Sequence, residues 1–161
     1  MSWALHRVDD RLIHGQVLVA WGARYRPERI WLLDDAIAAS DWERHLYLDA
    51  APGIDVRVTN LAEGAAAHAG EAAERGPAFL LVRDLASALR LVEAGAAVPA
   101  FNLGGLHYAP GKTRVNEYVY LDDADRRCAQ DLLARGVALE VQDVPASRAQ
   151  ALTALEPSLR P

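Results

Sequence analysis

One short segment of this chain gathers residue types that could carry a phosphoryl group. Arg7, Asp9, Asp10 and Arg11 all precede His14 within eight residues. An aspartate that accepts a hydrogen bond from one imidazole nitrogen fixes the tautomer and leaves the other nitrogen free as a nucleophile. Arginine guanidinium groups bind phosphoryl oxygens through charge-assisted hydrogen bonds. These residue types in this order predict a phosphohistidine site.

The residue after the histidine adds to this interpretation. Gly15 would let the backbone turn tightly into a helix. The N-terminus of that helix would present unpaired N–H groups and stabilise an anion beside His14. Taken singly, however, a histidine in such a loop is usually a surface or capping residue, and an Arg/Asp cluster is usually a solvated salt-bridge network. Their convergence at the end of one strand gives a functional site equal standing with this structural interpretation.

The elements that position this segment alternate between strands and helices. Short apolar runs predict strands, and longer amphipathic segments predict helices. The predicted strands cover 3–8, 29–33, 55–59, 78–83, 98–103 and 137–144, with an extended segment at 115–121. The predicted helices cover 15–24, 36–50, 61–74, 84–94 and 122–135, followed by a short C-terminal helix. This alternation predicts an α/β fold: an open, mostly parallel β-sheet with helices on both faces.

Ligands of such folds bind outside the carboxyl ends of the strands. The search for chemistry therefore narrows to the loops at 8–15, 34–36, 60–61, 83–84 and 102–114. The histidine-bearing segment is the first of these loops, directly after the first predicted strand.

Length and composition exclude several classes of protein. A length of 161 residues predicts one domain over 1–161, and the formal net charge of -5 argues against nucleic-acid binding. The single cysteine excludes an internal disulfide, and no Cys/His spacing of a structural zinc site is present, so we expect no metal. The N-terminus lacks the apolar run of a signal peptide, and no apolar stretch approaches the roughly 20 residues of a membrane span. We therefore expect a cytosolic location.

The segment 105–113 has glycine spacing close to that of a P-loop. Five residues separate Gly105 from Gly111, where the motif needs four, and the residues that follow predict a strand rather than a helix. We therefore expect no nucleotide site and interpret the segment as a turn-rich loop that could form part of a docking rim.

The residues RVDDRLIHGQV at 7–17 resemble the N-terminal signature of the IIB components of the mannose/fructose/sorbose family of the bacterial phosphoenolpyruvate-dependent sugar phosphotransferase system. Further resemblance lies in the acidic pair at 34–35, in 102–105 with 111–116, and in 135–141. The resemblance spans essentially the whole chain.

This resemblance implies a cytosolic phosphocarrier that needs no cofactor. It would accept a phosphoryl group from a histidine of a IIA protein and pass it to a sugar held by the membrane components IIC and IID. The chain would thus act as a protein-Nπ-phosphohistidine–sugar phosphotransferase, peripheral at the inner face of the membrane when it engages the permease. The acceptor would be His14, with Nδ1 expected as the carrier nitrogen.

The resemblance also implies roles for the neighbouring residues. Arg7 and Arg11 would contact the phosphoryl oxygens. Asp9 would orient or balance the imidazole, and Gly15 would help to bind or orient the phosphoryl group. Three further residues are candidates for the rim of the site: Asp10, Asp34 and Lys112.

Two other functions are consistent with the same residues. One is a regulatory module whose phosphorylation state is read by another protein rather than passed to a sugar. The other is a small anion-binding protein without transfer chemistry. The sequence does not name the sugar, and the resemblance allows both a monomer and a weak homodimer.

Overall fold

The computed structural model describes residues 2–160 and contains one large sheet. The strands are β1 (Trp3–Asp9), β2 (Arg29–Leu33), β3 (Asp55–Thr59), β4 (Ala78–Val82), β5 (Ala100–Gly105), β6 (Thr113–Arg114), β7 (Tyr120–Leu121), β8 (Ala138–Val141) and β9 (Gln150–Ala151). Seven of them form a sheet in the order β3-β2-β4-β1-β5-β8-β9, and β6 pairs with β7. Every pair in the large sheet is parallel except β8 with β9. The predicted open, mostly parallel sheet is confirmed.

Helices connect most of these strands. They are a π-helical turn (Val17–Trp21), α1 (Gly22–Tyr25), α2 (Asp35–Ala38), α3 (Asp41–Leu48), α4 (Leu61–Ala73), α5 (Leu85–Glu93), α6 (Asp123–Ala134), α7 (Leu152–Leu155) and a 3₁₀ turn (Pro157–Leu159). Each helix from α2 to α6 begins at an Asp, Ser or Asn whose side chain accepts the N–H of the third helical residue. These caps define where each of these helices begins.

Alternating side chains of the central strands supply two apolar cores. On β2, Ile30 and Leu32 join a core with the π-helical turn and α2, whereas Trp31 and Leu33 join a core with α4, α5 and α6. Because neighbouring strand residues point to opposite faces, both faces of the sheet are covered. The prediction of helices on both faces is confirmed.

The extended segment predicted at 115–121 is wrong for most of its length. Only β7 is a strand there, although Val119 also forms an isolated bridge with Leu106. The side-chain oxygen of Asn116 accepts the backbone N–H groups of Tyr118 and Val119 at 3.0 and 2.8 Å. This side-chain turn competes with strand pairing and interrupts the segment.

Other boundaries also differ from the sequence-based expectation, among them that of the strand predicted at 98–103, which is β5. The predicted helix at 36–50 is two helices, because Ser40 caps α3. The predicted strand at 137–144 ends at Val141, and Asp143 then accepts hydrogen bonds from Val144 and Ser147 in a local turn. The predicted helix at 15–24 begins at residue 15 but contains the π-helical turn.

No helix within residues 2–160 is both long enough and apolar enough to cross a bilayer.

The pairing of β1 with β5 brings the histidine-bearing loop next to the end of β5. Arg7 is paired with Asn102 and Asp9 with Gly105, with an irregularity in register between Val8 and Asp9. The loop after β1 and the end of β5 therefore share one place at the carboxyl edge of the sheet.

Candidate functional site

The carboxylate of Asp9 is the centre of the site. Asp9 is the last residue of β1 and is fully buried. Its Oδ2 lies 3.0 Å from Nε2 of His14, and its Oδ1 accepts the backbone N–H and Nε of Arg11 at 3.0 and 3.1 Å. Burial by itself would raise the pKa of Asp9, but hydrogen bonds from His14 and Arg11 and the charge of Arg7 outweigh it and lower the pKa below its ordinary value. Asp9 is therefore ionised at neutral pH.

The ionised carboxylate decides the tautomer of the histidine. A carboxylate can only accept hydrogen bonds, so Nε2 of His14 carries the proton that points at Asp9. In the neutral ring Nδ1 then keeps its lone pair. The side chain of His14 is 16% exposed, so the ring is held by Asp9 and still reaches the surface.

Arg7 contacts Asp9 from the buried interior and forms no hydrogen bond with His14 within the described residues. Its side chain is fully buried, with Nη2 3.1 Å from Oδ2 of Asp9. Nη1 donates to the side-chain oxygen of Asn102 and to the carbonyl of Gln142, and Nη2 also donates to the carbonyl of Asp143. Burial lowers the pKa of the Arg7 guanidinium, and the charge of Asp9 opposes that shift. The expected contact of Arg7 with phosphoryl oxygens does not fit this placement, whereas a role in orienting Asp9 does.

Two glycines at the end of β5 make room for these charged groups. A Cβ atom at Gly104 would overlap the guanidinium of Arg7. A Cβ atom at Gly105 would lie 3.1 Å from Nη2 of Arg11 and from Oδ1 of Asp9. The backbone of β5 therefore approaches the cluster more closely than any residue with a side chain would allow.

Arg11 is the arginine that reaches the surface. Its side chain is 36% exposed, and its Nη2 contacts Oδ2 of Asp9 and the side-chain oxygen of Gln16 at 3.2 and 3.1 Å. Within residues 2–160 its hydrogen bonds use the backbone N–H, Nε and Nη2, which leaves Nη1 for an anion near His14. The position of Arg11 fits a contact with phosphoryl oxygens.

The loop between β1 and the helix is anchored by apolar residues. Leu12 and Ile13 are buried in the core beneath it, and Leu12 adopts a left-handed conformation with φ of 56°. The expectation that Gly15 permits the tight turn is not supported, because its φ is not positive and a Cβ atom there would meet nothing within 4 Å. The turn is made at Leu12, where no sequence pattern indicated it.

The three predicted rim residues have different surroundings. The Asp10 carboxylate accepts from the backbone N–H of His107 at 2.7 Å and lies 2.6 Å from its Nδ1, so it ties the loop after β5 to the loop after β1. Asp34 caps α2 and pairs with Arg83 at 2.7 Å, and Lys112 pairs with Asp125 at 3.0 Å. Asp34 and Lys112 form no hydrogen bond or ion pair with the His14 cluster within the described chain.

Several supporting residues were not predicted from the sequence. Asn102 and Gly104 lie in a stretch that carried the family resemblance but received no individual role. Trp21, which stacks 5.3 Å from the Arg7 guanidinium and donates to the carbonyl of Asp143 at 2.9 Å, had no sequence signal beyond its place on an apolar helix face.

Between residues 2 and 160, no group of three or more His, Cys, Asp or Glu side chains is arranged to hold a metal ion.

Comparison with known proteins gives consistent matches over the chain. Residues 3–158 match the family model described as "PTS system sorbose subfamily IIB component". The mannose-specific EIIAB component of Escherichia coli K12 is 35% identical over 145 residues, which are 89% of this chain and 45% of that protein. The chain thus spans less than half the length of that relative. The N-acetylgalactosamine-specific phosphotransferase enzyme IIB component 1 of the same strain is 33% identical over 143 residues, with 88% and 90% of the two chains covered.

Solved structures agree with the fold. The IIBSor domain of the sorbose permease from Klebsiella pneumoniae superposes with a TM-score of 0.88 and 29% identity, covering 98% of each chain. The N-acetylgalactosamine-specific IIB component 1 from Escherichia coli superposes with a TM-score of 0.85 and 30% identity, covering 92% of this chain and 98% of that one.

Proposed function

Because this chain belongs to the sorbose-subfamily IIB components of the sugar phosphotransferase system, we propose that it carries a phosphoryl group on His14. It accepts the group from a histidine of a IIA protein and passes it to a sugar bound by the membrane components IIC and IID. The observation that carries this proposal is the 3.0 Å hydrogen bond between Nε2 of His14 and the buried carboxylate of Asp9. That bond supports Nδ1 as the acceptor.

The first transfer exchanges one nitrogen–phosphorus bond for another. The bond from phosphorus to the IIA histidine breaks as a bond forms to Nδ1 of His14, and the proton on Nε2 stays directed at Asp9. Such a transfer passes through a loose, metaphosphate-like state, so the protein contributes positioning and charge stabilisation. Asp9 holds the ring in place, and Arg11 supplies charge at the surface.

The second transfer requires that the group is released readily. Arg7 and Arg11 contribute two positive charges, and the shared carboxylate of Asp9 contributes one negative charge, so the cluster offsets a doubly negative phosphoryl group only in part. The nitrogen–phosphorus bond then breaks as a sugar hydroxyl oxygen bonds to phosphorus, and the hydroxyl proton leaves to solvent or to a base of the permease. The chain works in the cytosol and meets the permease at the inner face of the membrane.

The experiment that tests this proposal is phosphorylation through a reconstituted relay. The purified chain is incubated with phosphoenolpyruvate, the general phosphotransferase proteins and a IIA protein of this family, and intact-mass spectrometry counts the added groups. We expect one acid-labile phosphoryl group on the parent chain and none on His14→Ala. His45→Ala is the matched control, because His45 is exposed on α3 and contacts none of the cluster.

Two results would contradict the proposal. One is a group that persists on the His14→Ala variant, since the acceptor would then lie elsewhere. The other is a parent chain that stays unmodified while the IIA protein itself becomes phosphorylated, since the chain would then bind anions without carrying a phosphoryl group.

A further inference from the structure

A second feature of the molecule lies at the opposite end of the strands from His14. There a cleft of about 540 Å³ opens between the amino-terminal halves of β1 and β5. β1 pairs with β4 from Trp3 onward, but it pairs with β5 only from Arg7 onward. The two strands therefore diverge, and residues 3–6 line a gap between them.

Aromatic side chains lie on two sides of this cleft, with small residues, mainly alanine, between them. The ring of Trp3 stacks on that of His68 with centroids 4.8 Å apart and an interplanar angle of 14°. On the other side, Trp21 stacks on Tyr25 with centroids 6.1 Å apart and an angle of 8°. Phe101 is a further aromatic residue of the lining. Flat aromatic surfaces of this kind favour a planar ring as the occupant.

Two buried histidines add hydrogen-bonding capacity to the aromatic wall. Nε2 of His6 lies 2.9 Å from Nε2 of His68, so one ring donates and the other accepts. Burial, and to a smaller extent the neighbouring His68, lowers the pKa of His6 to about 3. The pair is therefore uncharged at neutral pH. Within the described chain Nδ1 of each ring has no hydrogen-bond partner, so the pair can offer one donor and one acceptor to a ligand.

The charged side chain in the lining of the cleft is negative. Of the lining side chains in residues 2–160, Glu140 is the one that carries a charge, and it is exposed on β8. Asn102 and Gln142 are polar neighbours in the lining. A carboxylate beside aromatic walls favours a cation over an anion.

We propose that this cleft binds a small planar ring compound that carries a cationic amino group. The ring lies against the aromatic walls, and the amino group pairs with Glu140. The site contains none of Asp9, Arg11 or His14, so it does not depend on the phosphocarrier function. Trp21 and Asn102 contact both the cleft and Arg7, so the occupant would touch the residues that hold Arg7 in place.

Tryptamine is a suitable probe because it combines an indole ring with an ammonium group. Titrated into ¹⁵N-labelled protein, it should shift the indole N–H signals of Trp3 and Trp21, which line the cleft. The signals of Trp31 and Trp42 should stay in place, because these residues lie outside it. Indole-3-acetate has the same ring and the opposite charge, and we expect it to bind about tenfold more weakly. In Glu140→Gln that preference should disappear.

Two substitutions on α4 separate binding in the cleft from binding elsewhere. Ala69→Phe places a ring in the cleft from an exposed position, so the fold should be retained while tryptamine binding falls. Ala66→Phe is the control, because Ala66 is also exposed on α4 but does not line the cleft. The proposal is overturned if tryptamine shifts none of the four indole signals or shifts all four alike. It is also overturned if both α4 variants bind tryptamine like the parent.

Discussion

At the scale of single residues, Asp9 links the charge of the site to its chemistry. The carboxylate of Asp9 receives hydrogen bonds from His14, Arg11 and Arg7. Each of these hydrogen bonds depends on the carboxylate being ionised. Arg7 in turn is fully buried and would be an unpaired charge without it. The same aspartate therefore sets the tautomer of His14 and neutralises a buried cation.

Asp9→Asn should slow phosphoryl transfer more than any other conservative change in the loop. An amide can donate as well as accept, so it no longer enforces the proton on Nε2 of His14, and we expect a loss of about a hundredfold or more. Rapid-quench measurement of labelling by phosphorylated IIA would give the rate. Asp10→Asn is the control, since Asp10 holds His107 instead, and its rate should stay within a few fold. Equal rates for the two variants would contradict the role of Asp9.

Loss of Arg11 should mainly lower the transfer rate, whereas loss of Arg7 should mainly lower the free energy of unfolding. Arg11→Ala should slow transfer about a hundredfold and change the free energy of unfolding by less than about 1 kcal/mol, because Arg11 is partly exposed. Arg7→Ala leaves Asp9 without its buried partner and should destabilise the fold by about 3 kcal/mol or more. Urea unfolding together with transfer rates tests both. An Arg11→Ala protein that unfolds as easily as Arg7→Ala would contradict this division.

At the scale of elements, the sequence predicted those strands and helices whose apolar residues recur at a regular spacing. β2 has the predicted bounds and β4 ends one residue before its predicted end, because apolar runs of this length are typical of strands in a covered parallel sheet. β3 also has the predicted bounds, and its alternating polar and apolar residues suit a strand at the edge of the sheet. The Asn116 turn was missed because a side chain that replaces ladder hydrogen bonds leaves the apolar pattern unchanged.

The candidate site was likewise predicted only as far as local sequence patterns reach. His14, Arg7, Asp9 and Arg11 are adjacent in sequence, so their residue types could be recognised together. The carbonyl groups of residues 142 and 143 reach Arg7 from a distant part of the chain, and Leu12 adopts a left-handed conformation that leucine rarely takes. Neither feature depends on side-chain chemistry, so no local pattern predicts it.

The end of β5 supports the site through its lack of a side chain. Gly104→Ala should displace the guanidinium of Arg7, because the new Cβ atom would overlap it, and both stability and transfer rate should fall. Gly15→Ala should fold with parental stability, because its Cβ atom has open space. Thermal unfolding and labelling rates of the two variants test this. Parental behaviour of Gly104→Ala would show that β5 can shift away from Arg7.

At the scale of the whole molecule, the two ends of the sheet have different electrostatic character. The formal charge of the chain is -5, yet Arg7, Arg11 and Asp9 sum to one positive charge at the carboxyl ends of the strands. The acidic excess lies on the rest of the chain, including Glu140 beside the cleft. An anionic group is therefore attracted by a local cluster and not by the protein's net charge.

The stability of the whole fold should depend on pH through His6. In the unfolded chain His6 binds a proton as the pH falls below 6.5, whereas in the folded chain its pKa is about 3. The unfolded state therefore binds more protons in this window, and the free energy of unfolding should fall by up to about 1.4 kcal/mol per pH unit below pH 6.5. Urea unfolding between pH 7 and pH 4.5 measures the slope.

His6→Gln keeps a hydrogen-bonding group next to His68 but cannot titrate, so its slope should be shallower than that of the parent. His45→Gln, at an exposed position, should keep the parental slope. The same slope for all three proteins would contradict the assignment of this effect to His6.

The measurement that tests the central claim most directly is the position of the phosphoryl group on the ring of His14. The chain, labelled with ¹⁵N in its histidines, is phosphorylated through the IIA relay and examined by NMR correlating ring nitrogens with phosphorus. Since Asp9 holds Nε2, the account predicts phosphorus bonded to Nδ1 of His14. A group bonded to Nε2 of His14, or to any other histidine, would contradict it.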